Sequence, residues 1–184
     1  MTLIEHLETN LGPIAEGWKD DLTVGDALRV VRFANQPFQG ASTFSTIGLS
    51  ESKVLLPKGK YCRQEFIFAA WDNYPAAHVA SFLLTFAAYV RDQQRPLLRG
   101  DVVSPSVPLI PGVAANSIYA TSPVIFPETL VRYDGDAIPT IIVWLVPLME
   151  AECLFVKEHG WNRFEDALES ANPDLLDLTR SSIF

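Results

Sequence analysis

A long apolar run in the last third of the chain constrains the fold more than any other feature. Residues 138–146 include an unbroken series of apolar side chains from position 141 to position 146. A run of this length and β-branched composition is typical of a strand that lies inside a sheet and is covered on both faces. Pro147 follows, and we expect it to end the strand. The chain should therefore fold as a sheet with helices on both sides.

Shorter patterns predict the elements around this strand. Further strands are predicted at residues 28–33, 43–49, 63–70, 101–104 and 117–126, with a hairpin-type loop at 56–60. Helices are predicted at residues 3–12, 76–90 and 149–158, and from 162 to about 171. Residues 96–116 are rich in Pro, Val and Gly and indicate a long connection. No linker divides the chain, so we expect residues 1–184 to form one domain.

The helix at residues 76–90 is the strongest helical prediction. It is apolar nearly all round, apart from a narrow polar stripe of His78, Ser81 and Thr85. A helix of this kind is expected to be buried on most sides, and His78 to be a structural histidine.

The charge pattern limits the classes of partner. The formal net charge of −8 argues against non-specific binding to nucleic acid or to anionic membranes. Acids predominate in residues 1–26 and 150–184, whereas residues 27–63 contain six basic residues and one acid. The basic stretch could attract an acidic partner, or it could consist of solvated strand edges and loops, which is the more common arrangement.

The termini and the cysteines indicate a cytoplasmic protein. The first residues lack the basic and apolar regions of a signal peptide, and no apolar run reaches the length of a membrane span. Cys62 and Cys153 form no CxxC pair and are predicted to be buried, reduced thiols.

Motifs of catalysis are missing from the sequence. The three histidines form no metal-binding pair, neither glycine-rich nucleotide fingerprint is present, and no cofactor is predicted. Residues 48–52 have the form Gly-Leu-Ser-Glu-Ser but lack the last glycine of a nucleophile elbow. The alternative to a binding protein is a small hydrolase with a site assembled from scattered residues such as Ser50, His78 and Glu152.

Several segments in order resemble the suppressor-of-fused-like domain family. They are Thr43-Phe-Ser-Thr-Ile-Gly-Leu-Ser50, Arg63-Gln-Glu-Phe-Ile-Phe-Ala-Ala70, the segment from Trp144 to Glu152 with Gly160, and Asp177-Leu-Thr-Arg180. The likeness covers the chain from about residue 25 onward. It implies an α/β fold of the α+β type, with a mixed, largely antiparallel sheet flanked by helices on both faces.

The resemblance also implies a function. Animal members bind and restrain a transcription factor, whereas the bacterial stand-alone domains are regarded as immunity proteins of polymorphic toxin systems. This chain has the length of the bacterial type, so the expected function is a non-enzymatic immunity protein that binds a toxin. A regulatory scaffold for another protein is an alternative that differs only in its partner.

Charge, together with aromatic side chains in connecting regions, indicates where a partner would bind. An acidic surface would suit a basic toxin, and the basic stretch would suit an acidic partner; the sequence leaves both open. The candidate partner-binding residues are Arg29, Arg32, Lys58, Lys60, Trp71, Asp134 and Asp136.

Overall fold

A computed structural model describes residues 1–19, 28–104 and 109–184. Residues 20–27 belong to the predicted acidic N-terminal stretch and residues 105–108 to the predicted long connection; both lie outside the described residues. No described helix is long and apolar enough to cross a bilayer.

The described residues form nine strands and four helices. The strands are β1 (Ile14–Lys19), β2 (Arg29–Ala34), β3 (Ala41–Ile47), β4 (Val54–Leu55), β5 (Tyr61–Trp71), β6 (Val102–Val103), β7 (Ser117–Thr121), β8 (Arg132–Tyr133) and β9 (Thr140–Leu148). The helices are α1 (Leu3–Leu11), α2 (Ala76–Asp92), α3 (Glu150–His159) and α4 (Trp161–Ala171).

All nine strands join one sheet in the order β1-β2-β3-β5-β9-β7-β6, with β4 added to β5 and β8 added to β9. The pairing of β5 with β9 is parallel, and the other described pairings are antiparallel. The fold is therefore of the α+β class, and the expected mixed, largely antiparallel sheet is confirmed.

The apolar run forms the central strand, as predicted. β9 lies between β5 and β7, and most of its side chains are buried. The expectation that Pro147 ends the strand is wrong, because Pro147 pairs with Ile118 inside β9. The pairing of β9 with β5 stops at Trp144. Beyond that point β9 has a neighbour on one side only, and strand positions with one open side accept proline.

Helices cover both faces of the sheet, as predicted. On the first face, α2 and residues 109–115 pack over Phe66, Phe68 and Leu145. On the second face, α1, α3 and α4 pack over Ile67, Tyr119 and Trp144. The alternation of positions 66, 67 and 68 between the two cores is the expected two-residue period of a strand.

Helix α2 is less enclosed than its composition predicts. Its inner side is buried, but His78, Ser81, Thr85 and Tyr89 are exposed along the outer side. The predicted buried environment of His78 is therefore wrong. The polar stripe marks the solvent side of an ordinary surface helix, and the high apolar content comes mainly from the seven side chains that α2 buries between Val79 and Val90.

Candidate functional site

The three residues of the hydrolase alternative do not share one site. His78 is exposed on α2, which covers the first face, whereas Glu152 is fully buried in α3 on the second face. Ser50 follows β3 and is 8 % exposed. Among the described residues, no group of three His, Cys, Asp or Glu side chains could hold a metal ion.

Glu152 has a structural role that the sequence did not show. Its carboxylate accepts hydrogen bonds from Arg180 Nη1 at 2.5 Å and from Arg180 Nη2 at 2.8 Å. The backbone amides of Met149 and Ile183 also donate to it, at 3.0 and 3.2 Å. This cluster fastens the C-terminal segment to α3.

One depression on the described surface is a groove of about 700 Å³. It lies between the hairpin of β4 and β5 and the C-terminal end of α2. Its floor contains Leu49, Phe66 and Val90, which belong to the core of the first face. Leu55 and Tyr61 stand at its side, 52 % and 48 % exposed. We call this depression the hairpin groove.

Basic side chains surround the hairpin groove. Its lining includes Lys53, Arg91 and Arg95 and one acid, Asp92. Lys53 Nζ lies 4.5 Å from the centre of the Tyr61 ring, which is the geometry of a cation–π contact. Arg95 Nη2 lies 3.4 Å from Asp101 Oδ2, with the Arg95 side chain 63 % exposed.

Two of the predicted interface residues, Lys58 and Lys60, lie beside the groove. They belong to the loop that joins Leu55 to Tyr61, which is closed by a 2.8 Å hydrogen bond from the Leu56 amide to the Lys60 carbonyl. Both side chains are exposed. Their ammonium groups make no hydrogen bond or ion pair with any described residue, so they are available to a partner.

The predicted acids lie at the same end of β5 and β9 but are paired within the chain. Arg132 Nε donates to both carboxylate oxygens of Asp134, at 2.8 and 2.9 Å, and this partner holds the pKa of Asp134 below its ordinary value. Asp136 forms an ion pair with Arg63 at 3.1 Å. A basic partner would have to compete with these arginines.

The three remaining predicted residues lie away from the groove. Arg32 contacts Glu16 at 3.2 Å and Ser42 at 3.3 Å, and Trp71 at the far end of β5 donates its indole N–H to Asp174 at 2.7 Å. Arg29 is exposed on β2, three strands from β9 in the order of the sheet. The seven predicted residues therefore occupy several surfaces, and the structure brings Lys58 and Lys60 together with Lys53.

Sequence reasoning missed Leu55, Tyr61, Arg91 and Arg95. The first two are ordinary hairpin residues. Arg91 lies in the last turn of α2 and Arg95 follows that helix, and both are far from the hairpin in sequence. A basic residue in the last turn also interacts favourably with the helix dipole, so Arg91 alone carries no functional signal. Only the packing of α2 beside the hairpin reveals the site.

A buried acid lies beneath one wall of the groove. The carboxylate of Glu65 accepts the hydroxyl of Thr46 at 2.5 Å and the amides of Gly48 and Ser50 at 3.0 Å each. It thereby holds the turn that carries Leu49. Burial raises the pKa of Glu65, and the hydrogen bonds only partly oppose this effect.

A second cavity, of about 460 Å³, opens on the other face between β7, β9 and α4. On one side of it, Glu165 accepts hydrogen bonds from Arg99 Nε at 3.1 Å, from the Tyr119 hydroxyl at 2.7 Å and from the Thr121 hydroxyl at 3.0 Å. Burial raises the pKa of the Glu165 carboxyl, but these hydrogen bonds outweigh burial and hold the pKa below its ordinary value. All three donors bind the same carboxylate, so the cluster joins α4 to the sheet and satisfies Glu165.

Comparisons with known proteins place the chain in a family. The model of the suppressor of fused protein family matches residues 25–181. The chain therefore belongs to the suppressor of fused family. No curated protein matches the sequence.

Solved structures share the fold at low sequence identity. A putative suppressor of fused homologue from Neisseria gonorrhoeae has 16% identity and a TM-score of 0.79, over 99% of this chain and 94% of that chain. The crystal structure of the Sufu–Fu complex contains a chain with 14% identity and a TM-score of 0.74, over 99% of this chain and 91% of that chain.

Suppressor of Fused from Drosophila has 15% identity and a TM-score of 0.73. The match covers 99% of this chain and 50% of the Drosophila chain, so this chain spans half the length of that relative. At these identities the likeness shows the fold.

Proposed function

We propose that this member of the suppressor of fused family is a non-enzymatic protein-binding domain, and that the hairpin groove is its binding surface. The observation that carries the proposal is the meeting of exposed apolar side chains, Leu55 and Tyr61, with the unpaired ammonium groups of Lys58 and Lys60. Interfaces commonly have an apolar centre with a charged or polar rim, and Tyr, Trp and Arg side chains supply much of their binding energy. Tyr61 and Arg95 are residues of this kind in the groove, and the two lysines belong to its charged rim.

The family gives independent support. One relative of the same fold is seen in a complex of two proteins, Sufu with Fu. A domain that acts by holding a partner needs a surface of complementary shape and charge, and it needs no nucleophile or metal. The scattered positions of Ser50, His78 and Glu152 agree with such a role.

We further propose that the partner is a toxin, and that binding in the cytoplasm neutralises it. This role is the one expected of the bacterial stand-alone domains that the sequence resembles. An inhibitor of this kind must bind quickly and tightly, and complementary charge raises the rate of encounter. A scaffold that regulates another cellular protein would use the same surface.

The test is co-purification of the tagged chain with the products of its neighbouring genes, at low and at high salt. We expect one stoichiometric partner, a complex weakened by salt, and rescue of growth when that partner is toxic. The double variant Lys58→Glu/Lys60→Glu should lose the partner, whereas Arg163→Glu, an exposed charge reversal on α4, should retain it.

Different failures have different meanings. A stable complex that is indifferent to the double variant and to Leu55→Glu would disprove the hairpin groove as the binding surface. A non-toxic partner held through the groove would disprove the toxin role and leave the binding function standing.

A further inference from the structure

We infer that the hairpin groove binds an acidic polypeptide segment that inserts one large apolar side chain. This inference rests on the proposed function for the location of the surface and adds the chemistry of the partner. The sequence alone left the sign of the partner's charge open, and the charges around the groove favour an acidic partner. Arg91 lies 3.9 Å from Asp92 and Arg95 lies 3.4 Å from Asp101, so the preference for an acidic partner depends mainly on the lysines of the hairpin.

The floor of the groove is suited to a side chain of the size of Phe or Leu. Leu49, Phe66 and Val90 form an apolar base, and Leu55 and Tyr61 rise beside it. A volume of about 700 Å³ is larger than one such side chain and leaves room for the neighbouring residues of the bound segment. Burial of the half-exposed Leu55 and Tyr61 would contribute the apolar part of the binding energy.

The basic side chains around the hairpin groove favour an acidic partner. Lys53, Arg91 and Arg95 line the groove with one acid, Asp92, and Lys58 and Lys60 extend the basic surface along the hairpin loop. Arg95 also borders two smaller depressions, one towards Val102 and one towards Pro57. The whole chain has a net charge of −8, so the positive charge of this surface is opposite in sign to that of the molecule as a whole.

The candidate acidic surface is weaker by comparison. Asp134 and Asp136 are each engaged by an arginine of the same chain. The lysines of the hairpin loop have no such partner among the described residues. Charges that are already paired contribute less to a new interface, so the lysines favour an acidic partner over a basic one.

A polypeptide fits the surface better than a nucleic acid does. Binding of nucleic acid depends on many phosphate contacts along an extended basic track. Here the basic surface is confined to one end of the sheet in an acidic protein, and its centre is an apolar depression. An acidic peptide needs only a few charges on either side of its apolar anchor.

The experiment is fluorescence anisotropy of the full chain with three labelled peptides. The first contains glutamates on both sides of a central Phe. The second has Gln in place of every Glu, and the third has Ser in place of Phe. We expect the first to bind most tightly, the other two at least tenfold more weakly, and its affinity to fall by at least tenfold between 50 and 500 mM salt.

Variants locate the binding site on the protein. Lys53→Glu and Arg95→Glu should each weaken binding of the first peptide by at least tenfold, and Leu55→Ser should weaken it by several-fold. Asp92→Asn should tighten binding, because it removes the acid that lines the groove. Arg163→Glu on the opposite face is the matched control and should change nothing, and circular dichroism checks that each variant is folded.

Several outcomes would overturn the inference. They are equal binding of the Gln peptide, failure of the first peptide to bind at millimolar concentration, and tighter binding of a single-stranded oligonucleotide of equal charge. If these peptides fail while a natural partner still depends on Lys58 and Lys60, the acidic segment is wrong and the proposed function stands. If the peptides fail and a natural partner also does not depend on Lys58 and Lys60, the groove is not an interface.

Discussion

Thr46 and Glu65 hold adjacent strands together at the point where their regular pairing stops. The register of β3 with β5 ends at Ser45 and Ile67. Beyond it, the Thr46 hydroxyl accepts the Phe66 amide at 2.8 Å and donates to Glu65 Oε2 at 2.5 Å. A side-chain pair thus replaces the backbone ladder, and it places a carboxyl in the core with no cation among its described contacts.

This buried carboxyl predicts a pH dependence of stability. Burial raises the pKa of Glu65 in the folded state above the value of about 4.3 in the unfolded chain. The folded protein therefore holds a proton that the unfolded chain has lost, and Glu65 contributes less stability as the pH rises from about 4.3 through its folded pKa. We expect Glu65→Gln to become more stable relative to the wild type over that window.

The measurement is the free energy of unfolding in urea at a series of pH values. In the variant, the amide oxygen can accept the backbone amides of Gly48 and Ser50, and the amide nitrogen can donate to Thr46. Glu51→Gln, an exposed neighbour, is the control and should stay parallel to the wild type. A constant difference between Glu65→Gln and the wild type at all pH values would show that Glu65 does not titrate in this window.

The central strand and the main helix could be predicted because their burial leaves a periodic or continuous apolar pattern. β1 was missed for the opposite reason. It is an edge strand with the sequence Ile-Ala-Glu-Gly-Trp-Lys, and its side chains are exposed or only half-buried. Without a buried face there is no alternation to detect.

The contacts that form the hairpin groove join residues that are far apart in sequence. The same is true of the contacts between Glu152 and the C-terminal segment. Glu152 and Arg180 are 28 positions apart, so Glu152 could be explained from the sequence as an acid in the first turn of a helix. Lys58 and Lys60 were predicted from charge alone. Whether their neighbours pair with them or leave them unpaired is decided by tertiary packing.

The ion pair of Glu152 and Arg180 is buried and predicts a large effect of breaking it. The two side chains are 0% and 6% exposed. Arg180→Met removes the guanidinium and leaves an unpaired buried carboxylate, which typically costs about 3–5 kcal/mol. Arg163→Met, at an exposed position, should stay within about 0.5 kcal/mol of the wild type.

A second variant separates the charge from the packing. In Arg180→Met/Glu152→Gln no charge is buried, so the double variant should be more stable than Arg180→Met in urea unfolding at neutral pH. If the double variant is the less stable of the two, the hydrogen bonds from Met149 and Ile183 to Glu152 matter more than the unpaired charge.

The Tyr119 hydroxyl bonded to Glu165 predicts a stability that changes at high pH. Tyr119 is fully buried, and burial, with the neighbouring carboxylate, raises its pKa above the ordinary value of 10. Tyr119→Phe removes a hydrogen bond to a charged group and should cost about 1.5–3 kcal/mol at neutral pH. Tyr89→Phe, at a half-exposed site on α2, should cost less than about 0.5 kcal/mol.

The pH profile distinguishes this role from simple packing. Above pH 10 the unfolded chain loses the Tyr119 proton and the folded chain keeps it, so this contribution to stability declines as the pH rises. The cost of Tyr119→Phe should therefore shrink above pH 10 in urea unfolding. A cost that is the same at pH 7 and pH 10.5 would mean that the hydroxyl is not held in its protonated form.

The close contact of Gly100 with Trp161 predicts unequal effects of alanine at two glycines. A Cβ on Gly100 would lie 2.5 Å from the Trp161 ring, and its φ of +94° also favours glycine. Gly59, on the hairpin loop, has a similar φ of +76° but open space around it. Gly59→Ala should cost about 1–2 kcal/mol from backbone strain alone, and Gly100→Ala about 1–3 kcal/mol more from overpacking. Equal losses in urea unfolding would show that the Trp161 ring moves aside and that α4 is not held closely against residue 100.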